Sequence, residues 1–381
     1  MNHASINKRL TLAFANSFPG SNEIFFTPEV FGKGTRNRRR FTSQASFRLQ
    51  AIPLLDTAAE NNIDLKIYNL SNPRILESEV YSAHSLILGK LLTHPLDTQG
   101  RQLTTTILQL LKTTKKLGKK ICTIYSDNYL AKDDYKSDLY QKILQYSSEI
   151  ITPTSYLCEM VKTYNVNASC QIIPDPCLLK PIDVKRTSDT LCRLIWFGQG
   201  ENVKYLLESL ETLLTNCAAS KKYELTILTR KAYQENLISQ KIKEIAARLK
   251  HIQLPSIWSF RLISWDDANQ PTQLQDELER AHISFIPSDK NSPWKRGASS
   301  NRLVDSLQAG CLCVTSPLES YQDLYPISLQ GQNFPELIDQ AWANFEELSV
   351  NINARKTESL EYYSKENTHH RWRKVINSLL E

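Results

Sequence analysis

The stretch ISFIPSDKNSPWKRGASSNRLVDSLQAGCLCVTSPLESYQDL, residues 283–324, is the part of the sequence from which the fold class is predicted. A short apolar run at residues 283–286 predicts a buried strand, which Pro287 ends. A polar loop follows, and then a predicted helix that begins at about Ser300. Gly310 lies where a glycine commonly ends a helix. A second apolar run at residues 311–314 completes a strand, loop, helix and strand. This crossover implies a parallel sheet.

The loop of this crossover has the chemistry of an anion site. Unpaired N–H groups at a helix N-terminus attract anions, and the small residues from Gly297 to Ser300 let a ligand approach the backbone. Lys295 and Arg296 add two cations, and Asp305 can accept hydrogen bonds from sugar hydroxyls. The pattern favours a nucleotide site at the carboxyl edge of the sheet. A solvated basic loop before an ordinary amphipathic helix is the alternative.

The run SSNRLVDSLQAGCLCVTSPLESYQDL, residues 299–324, resembles the nucleotide-sugar-binding segment of bacterial GT-B glycosyltransferases of the family 4 or group 1 type. The resemblance implies an α/β protein with two Rossmann-like doubly wound domains, an interdomain cleft and a C-terminal helix that crosses back to the first domain. Many retaining members carry a pair of glutamates in this segment. The second falls on Asp305 and the first on Gly297, so the stereochemical outcome stays open.

The alternation of apolar runs agrees with this architecture and sets the expected domains. An N-terminal acceptor-binding domain is expected at residues 1–182 and a nucleotide-sugar-binding domain at residues 191–356. The returning helix is expected at residues 357–381, with helices predicted over residues 334–348 and 357–380.

In the second domain, the resemblance assigns donor binding to residues that follow the strands. Gly198 and Gly200 form a tight turn after the apolar run at residues 191–197, and Lys204 lies in the first turn of the next helix, against the donor pyrophosphate. Trp265 follows another strand, where it either stacks on the base or belongs to the core. The other predicted donor residues are Arg230, Ser299, Ser300, Asn301 and Asp305.

In the first domain, three residues match positions that the family uses near the acceptor. Arg48 lies near the start of a predicted helix, and Lys90 lies near the end of a predicted strand, so both are expected to bind acceptor or phosphate. Asp127 matches the first acid of an acidic turn and is the candidate catalytic base if the enzyme inverts. Structural roles are the alternatives, as a strand-edge lysine and a turn-forming aspartate. His84 and His94 are weaker candidates for a base.

Composition is that of a soluble globular protein, with 41% hydrophobic and 23% charged residues and a net charge of +6. No apolar stretch approaches the roughly 20 residues of a membrane span, and the polar N-terminus does not resemble a signal peptide. The eight cysteines lack zinc-site spacing and predict free thiols in a reducing compartment. We therefore expect a cytoplasmic protein, with peripheral association at the inner face of the cytoplasmic membrane as an option.

The leading prediction is a hexosyltransferase-type glycosyltransferase that moves a sugar from a nucleotide-sugar donor to a glycan or lipid-linked acceptor, in cell-surface polysaccharide synthesis. Lys295 and Arg296 would neutralise the leaving diphosphate, so no metal and no cofactor beyond the nucleotide-sugar co-substrate is expected. One alternative is a non-catalytic nucleotide-sugar or polyanion-binding protein with the same fold. Nucleic-acid binding through the arginines at residues 36–40 is disfavoured, because no aromatic residues are interleaved with them.

Overall fold

The computed structural model describes residues 11–16, 47–69, 81–91, 98–131, 135–184, 190–200, 202–217, 221–248, 257–265 and 272–381. The chain forms two compact units. The first unit comprises Met1–Asp175, Gly297–Ser299 and Lys365–Glu381, and the second comprises Pro176–Arg296 and Ser300–Ser364.

Strands and helices alternate through the described chain. The strands are β1 (Thr11–Asn16), β2 (Asp64–Asn69), β3 (Ser85–Leu88), β4 (Ile121–Ile124), β5 (Glu149–Thr152), β6 (Ser169–Ile172), β7 (Leu191–Phe197), β8 (Lys222–Thr229), β9 (Trp258–Ser264), β10 (Ile283–Ile286), β11 (Leu312–Thr315) and β12 (Leu329–Gln330). The helices are α1 (Ile52–Glu60), α2 (Thr98–Lys116), α3 (Tyr135–Tyr146), α4 (Ser155–Lys162), α5 (Asn202–Asn216), α6 (Lys231–Tyr233), α7 (Ser239–Arg248), α8 (Thr272–Arg280), α9 (Pro293–Arg296), α10 (Asn301–Gln308), α11 (Phe334–Ala343), α12 (Phe345–Glu361) and α13 (Lys365–Leu380).

The first unit is a parallel sheet in the order β2-β1-β3-β4-β5-β6, covered by helices. Helix α13 belongs to this unit and packs on α1, where Leu54, Trp372 and Val375 are buried in one apolar cluster. Its C-terminal backbone is held by the Lys120 ammonium, which donates to the Ser378 carbonyl at 2.6 Å. The predicted return of the last helix to the first domain is confirmed.

The second unit is a parallel sheet in the order β12-β11-β10-β7-β8-β9. Residues 283–324 contribute β10 and β11 to this sheet, which pair from Ile283 with Leu312 to Ile286 with Thr315. Helix α10 connects these strands and ends at Gln308, and Gly310 follows two residues later with a φ of +85°, which favours glycine. A Cβ atom there would lie 2.8 Å from the Asp183 carbonyl oxygen, so a side chain would also collide with backbone.

The last three helices differ from the two predicted over residues 334–348 and 357–380. The first prediction runs through Asn344, which has a non-helical backbone (φ −108°, ψ 24°) and separates α11 from α12. The second begins inside α12, which ends at Glu361, while α13 begins at Lys365. None of the described helices is long and apolar enough to cross a membrane.

The prediction that all cysteines are free thiols is wrong for one pair. Cys158 on α4 and Cys170 on β6 form a disulfide, with Cα atoms 5.9 Å apart. Helix α4 lies beside β6, which brings the two side chains together, and their sequence spacing gave no sign of it. The other six cysteines are free, and all of them except Cys177 are buried.

Replacing Gly310 with Ala should lower the free energy of unfolding more than replacing Gly118 with Ala. Both glycines have positive φ, +85° and +71°, so an alanine costs about 1–2 kcal/mol at either position. Only the Gly310 variant adds a steric collision, because the space around Gly118 is open. Urea titration of the two variants measures the difference, and equal losses would contradict the collision.

Candidate active site

The predicted donor residues of the second unit lie where parallel strands end. Gly198 and Gly200 follow β7, Arg230 follows β8, and Trp265 follows β9. The segment with Lys295 follows β10. Because all these strand pairs are parallel, their carboxyl ends share one edge of the sheet, the usual ligand edge of such folds.

The glycine turn after β7 is fixed by backbone hydrogen bonds. The Gly198 N–H donates to the Leu228 carbonyl at 3.2 Å, and the Thr229 hydroxyl donates to the Gly198 carbonyl at 2.6 Å. Gly200 has a φ of +58°, which lets the chain turn into α5. The first residue of that helix, Asn202, is thereby placed at the sheet edge.

Asn202 brings two cations together. Its side-chain oxygen accepts from the Lys295 ammonium at 3.2 Å and from Arg302 Nη2 at 3.3 Å. Lys295 is only 8% exposed, and its ammonium lies 5.3 Å from the centre of the Tyr205 ring. The Asn202 oxygen is neutral and compensates neither charge, so an anion beside Arg302 would gain electrostatically.

Arg302 is the most informative residue that the sequence analysis missed. Its Nη1 is buried and has no hydrogen-bond partner among the described residues, and burial lowers the pKa of its guanidinium. The Tyr321 hydroxyl lies beside it, and the Arg302 charge opposes the rise that burial causes in the pKa of Tyr321. A basic residue near the start of α10 was visible in the sequence, but its burial was not.

The other predicted cations have different surroundings. Arg296 is bound through Nε and Nη2 to Glu319 Oε1, with the Nε contact at 2.9 Å, so its charge is already compensated. Lys204 is 70% exposed and lies 3.6 Å from Glu208, but its ammonium is 5.9 Å from the centre of the Tyr205 ring. The structure therefore brings Lys204 and Lys295 to the same ring.

Several residues around the start of α10 already form hydrogen bonds within the protein. Asn301 Oδ1 accepts from the Arg302 N–H at 2.8 Å, and the buried Ser300 hydroxyl interacts with Tyr363. Asp305 Oδ1 accepts from the Cys177 thiol at 3.4 Å. Ser299 belongs to the first unit, so the predicted N-terminal cluster is divided.

The remaining donor candidates are less informative. Arg230 is exposed and precedes α6. Trp265 packs against the apolar core, and in the part of the chain that the structure describes its buried indole Nε1 has no hydrogen-bond partner. The core alternative for Trp265 therefore has support in its packing.

A cavity of about 410 Å³ opens beside the glycine turn. Its volume is in the range of small-molecule sites. The lining residues are Gly200, Val203, Lys204, Leu207, Glu208, Tyr233, Leu237 and Lys241. Two predicted donor residues, Gly200 and Lys204, thus line open space.

In the first unit, the structure joins two of the predicted acceptor residues. The Lys90 ammonium lies 2.6 Å from Asp127 Oδ2, and the Tyr129 hydroxyl donates to the same oxygen at 3.0 Å. Arg48 lies in the π-helical segment Phe47–Ala51, and its side chain is outside the described part of the chain. His94 and residues 36–40 are also outside it, and His84 is exposed.

Among the described residues, no cluster of three or more His, Cys, Asp or Glu side chains is arranged for a metal ion. The polar groups that converge in the second unit are instead cationic, and cations of this kind bind phosphate oxygens.

No protein-family model and no curated protein matches the chain. Solved structures match over nearly the whole length. An α,α-trehalose-phosphate synthase (UDP-forming) from Burkholderia vietnamiensis has a TM-score of 0.59 at 10% identity, covering 98% of both chains. An α-glucosyltransferase in complex with UDP-glucose and DNA has a TM-score of 0.54 at 10% identity, covering 98% of this chain and 99% of that one. The DNA-modifying enzyme β-glucosyltransferase has a TM-score of 0.51 at 14% identity, covering 98% and 100%. The predicted GT-B fold is confirmed.

Replacing Arg302 with Met should leave the free energy of unfolding unchanged or raise it by about 1–4 kcal/mol, because the change removes a buried charge whose hydrogen-bond partners in the described chain are neutral. Arg248→Met is the control, since it removes a half-exposed ion pair with Glu211 worth about 0–1 kcal/mol. Urea titration measures both. A clear loss of stability for Arg302→Met would show that the guanidinium serves folding rather than a ligand.

Proposed function

We propose that this chain is a glycosyltransferase that moves a sugar from a nucleotide-diphosphate sugar to an acceptor hydroxyl. The observation that carries the proposal is the buried Arg302 guanidinium: within the described part of the chain its Nη1 has no hydrogen-bond partner, and its Nη2, like Lys295, contacts the neutral Asn202 oxygen. A diphosphate offers negative charge and acceptor oxygens to this guanidinium. The GT-B fold supports a nucleotide-sugar donor.

The same group has a role in the chemical step. When the sugar–oxygen bond breaks, negative charge develops on the leaving diphosphate, and preorganised cations stabilise it. Lys295 and Arg302 are held before the ligand arrives, so little reorganisation is needed. Lys204 lies 5.9 Å from the centre of the same Tyr205 ring that Lys295 approaches, but it is exposed and its ammonium is 3.6 Å from Glu208, so it contributes less. Arg296 contributes less, because Glu319 already compensates it.

UDP is the first nucleotide to test, because the similar α-glucosyltransferase and β-glucosyltransferase were solved with UDP-glucose. Asp305 at the first turns of α10 is the proposed acceptor of hydrogen bonds from ribose or sugar hydroxyls, once its contact with the Cys177 thiol is exchanged. Gly198 and Gly200 let the ligand approach the turn before α5.

For the acceptor, we propose a class of molecules rather than one compound. A glycan or a lipid-linked sugar in the cytoplasm, or at the inner face of the membrane, follows from the sequence resemblance, with Arg48 and Lys90 as its proposed contacts. DNA is the competing acceptor, because two of the similar structures are described with DNA or as DNA-modifying. A gel-shift assay with a steep salt dependence would favour DNA.

UDP should bind the protein, and Lys295→Met and Arg302→Met should each weaken binding at least tenfold, about 1.4 kcal/mol. The physical reason is the loss of a buried charge facing the diphosphate. Isothermal titration calorimetry with UDP, GDP, CMP and dTDP measures the affinities. Lys222→Met is the control, because Lys222 is exposed at the opposite end of its strand from the predicted edge.

Arg296→Met should weaken UDP binding less than Lys295→Met or Arg302→Met does. Equal affinity for UDP in all variants would contradict the donor site. UDP release from UDP-glucose in the absence of acceptor separates a transferase from a protein that only binds the nucleotide sugar.

A further inference from the structure

Asn202 begins α5, and its side chain contacts both buried cations of the candidate donor site. Its Oδ1 accepts from the Lys295 ammonium at 3.2 Å and from Arg302 Nη2 at 3.3 Å. The two cations come from other elements, since Lys295 lies in α9 and Arg302 lies in α10. A single amide oxygen therefore connects α5 to the segment between β10 and β11.

Two hydrogen bonds to the glycine turn hold Asn202 in place. Its backbone N–H and its side-chain Nδ2 both donate to the Gln199 carbonyl, each at 3.3 Å. Because the amide nitrogen is bound to the backbone in this way, the orientation of the amide is fixed, and Oδ1 is the atom that faces the cations. The acceptor for Lys295 and Arg302 is thus in position without a ligand.

Gly198 leaves the space that Asn202 occupies. A Cβ atom at residue 198 would lie 3.3 Å from the Asn202 Cβ and 3.1 Å from Trp196 Cζ2. Trp196 is completely buried, so a side chain at residue 198 would displace Asn202 rather than the indole. Gly200 has a different role, because its surroundings are open and its φ of +58° is what requires glycine.

The second group of α5 that approaches Lys295 is also uncharged. Tyr205 follows Asn202 by three residues, which places both side chains on neighbouring positions of the helix surface. The Lys295 ammonium lies 5.3 Å from the centre of the Tyr205 ring. An aromatic ring attracts a cation without neutralising it. The first turn of α5 therefore holds Lys295 through groups that leave its formal charge in place.

We propose that Asn202 is a positioning residue that sets the preference of the donor site for a diphosphate, a role that rests on the proposed glycosyltransferase function. It holds Lys295 and Arg302 at fixed places, and, being neutral, it leaves their positive charge for the ligand. A carboxylate at this position would hold both cations but neutralise one of them. An apolar side chain would leave both charges but hold neither.

This role makes ligand charge the quantity that the site selects. UDP carries one more phosphate group than UMP, so it gains more from positive charge that the protein does not compensate. The ratio of the affinities for UDP and UMP therefore reports the positive charge that the site presents. A general loss of structure would lower both affinities together and leave this ratio unchanged.

Isothermal titration calorimetry with UDP and UMP is the test. Asn202→Asp should weaken UDP binding at least about tenfold and UMP binding less, so that the ratio falls. Asn202→Ala should weaken UDP binding about three- to tenfold, because the cations lose a shared acceptor, and Gly198→Ala should have the same effect. Asn216→Asp is the matched control. It adds the same charge at the exposed far end of α5 and should leave both affinities unchanged.

A double-mutant cycle separates a positioning role from a general structural one. If Asn202 acts through Arg302, Asn202→Asp should weaken UDP binding less in the Arg302→Met protein than in the wild type. Urea titration gives a readout that needs no ligand. Asn202→Asp should raise the urea midpoint, and should raise it less when Arg302 is methionine, because one of the two cations it would pair with is then absent.

An unchanged ratio of UDP to UMP affinity in Asn202→Asp, or equal effects of this change in both backgrounds, would overturn the role of Asn202. A fall in the urea midpoint would assign Asn202 to the glycine turn instead, since the change also removes the Nδ2 donation to Gln199. Failure of the proposed function has a different signature. The wild-type protein would then bind no UDP, or would bind it equally well as Arg302→Met.

Discussion

The parallel pairing of strands is the constraint on which both units depend. Each parallel crossover returns the chain to the same end of the sheet, so the residues after every strand collect at one edge. Five of the strands, β3, β4, β5, β10 and β11, are buried along their whole length. Polar chemistry can therefore accumulate at the edge without interrupting the core.

In the second unit, two cations, Lys295 and Arg302, are buried at the edge of the sheet, and their burial costs free energy of folding. Burying Lys295 and Arg302 is unfavourable, and the hydrogen bonds to Asn202 offset only part of the lost hydration. A carboxylate in place of Asn202 would stabilise the folded protein, but it would also occupy the charge that an anion needs. Arg296 illustrates that alternative, because Glu319 completes its pairing and leaves little for a ligand. In the proposed donor site, the neutral amide of Asn202 thus stands where Glu319 stands beside Arg296.

The sequence predicted the fold well where local signals were strong. The crossover from β10 to β11 could be read from two apolar runs, a helical period and Gly310, because the glycine is required by both its φ and its close contact with Asp183. The breaks around α12 and the Cys158–Cys170 disulfide could not be read, since neither depends on neighbours in the sequence. The same limit applied to the candidate site. Lys295 was found from its loop, whereas Asn202 and Arg302 gain their significance only through contacts across about a hundred residues.

The two sheet edges differ in how their charges are compensated. At the edge of the first unit, the Lys90 ammonium and the Tyr129 hydroxyl both contact Asp127 Oδ2, so this cation and this carboxylate are paired. At the edge of the second unit, Lys295 and Arg302 contact the neutral side-chain oxygen of Asn202. An anion would therefore gain more from Arg302 than from the Lys90 ammonium, because a neutral oxygen leaves a positive charge available that a carboxylate would neutralise.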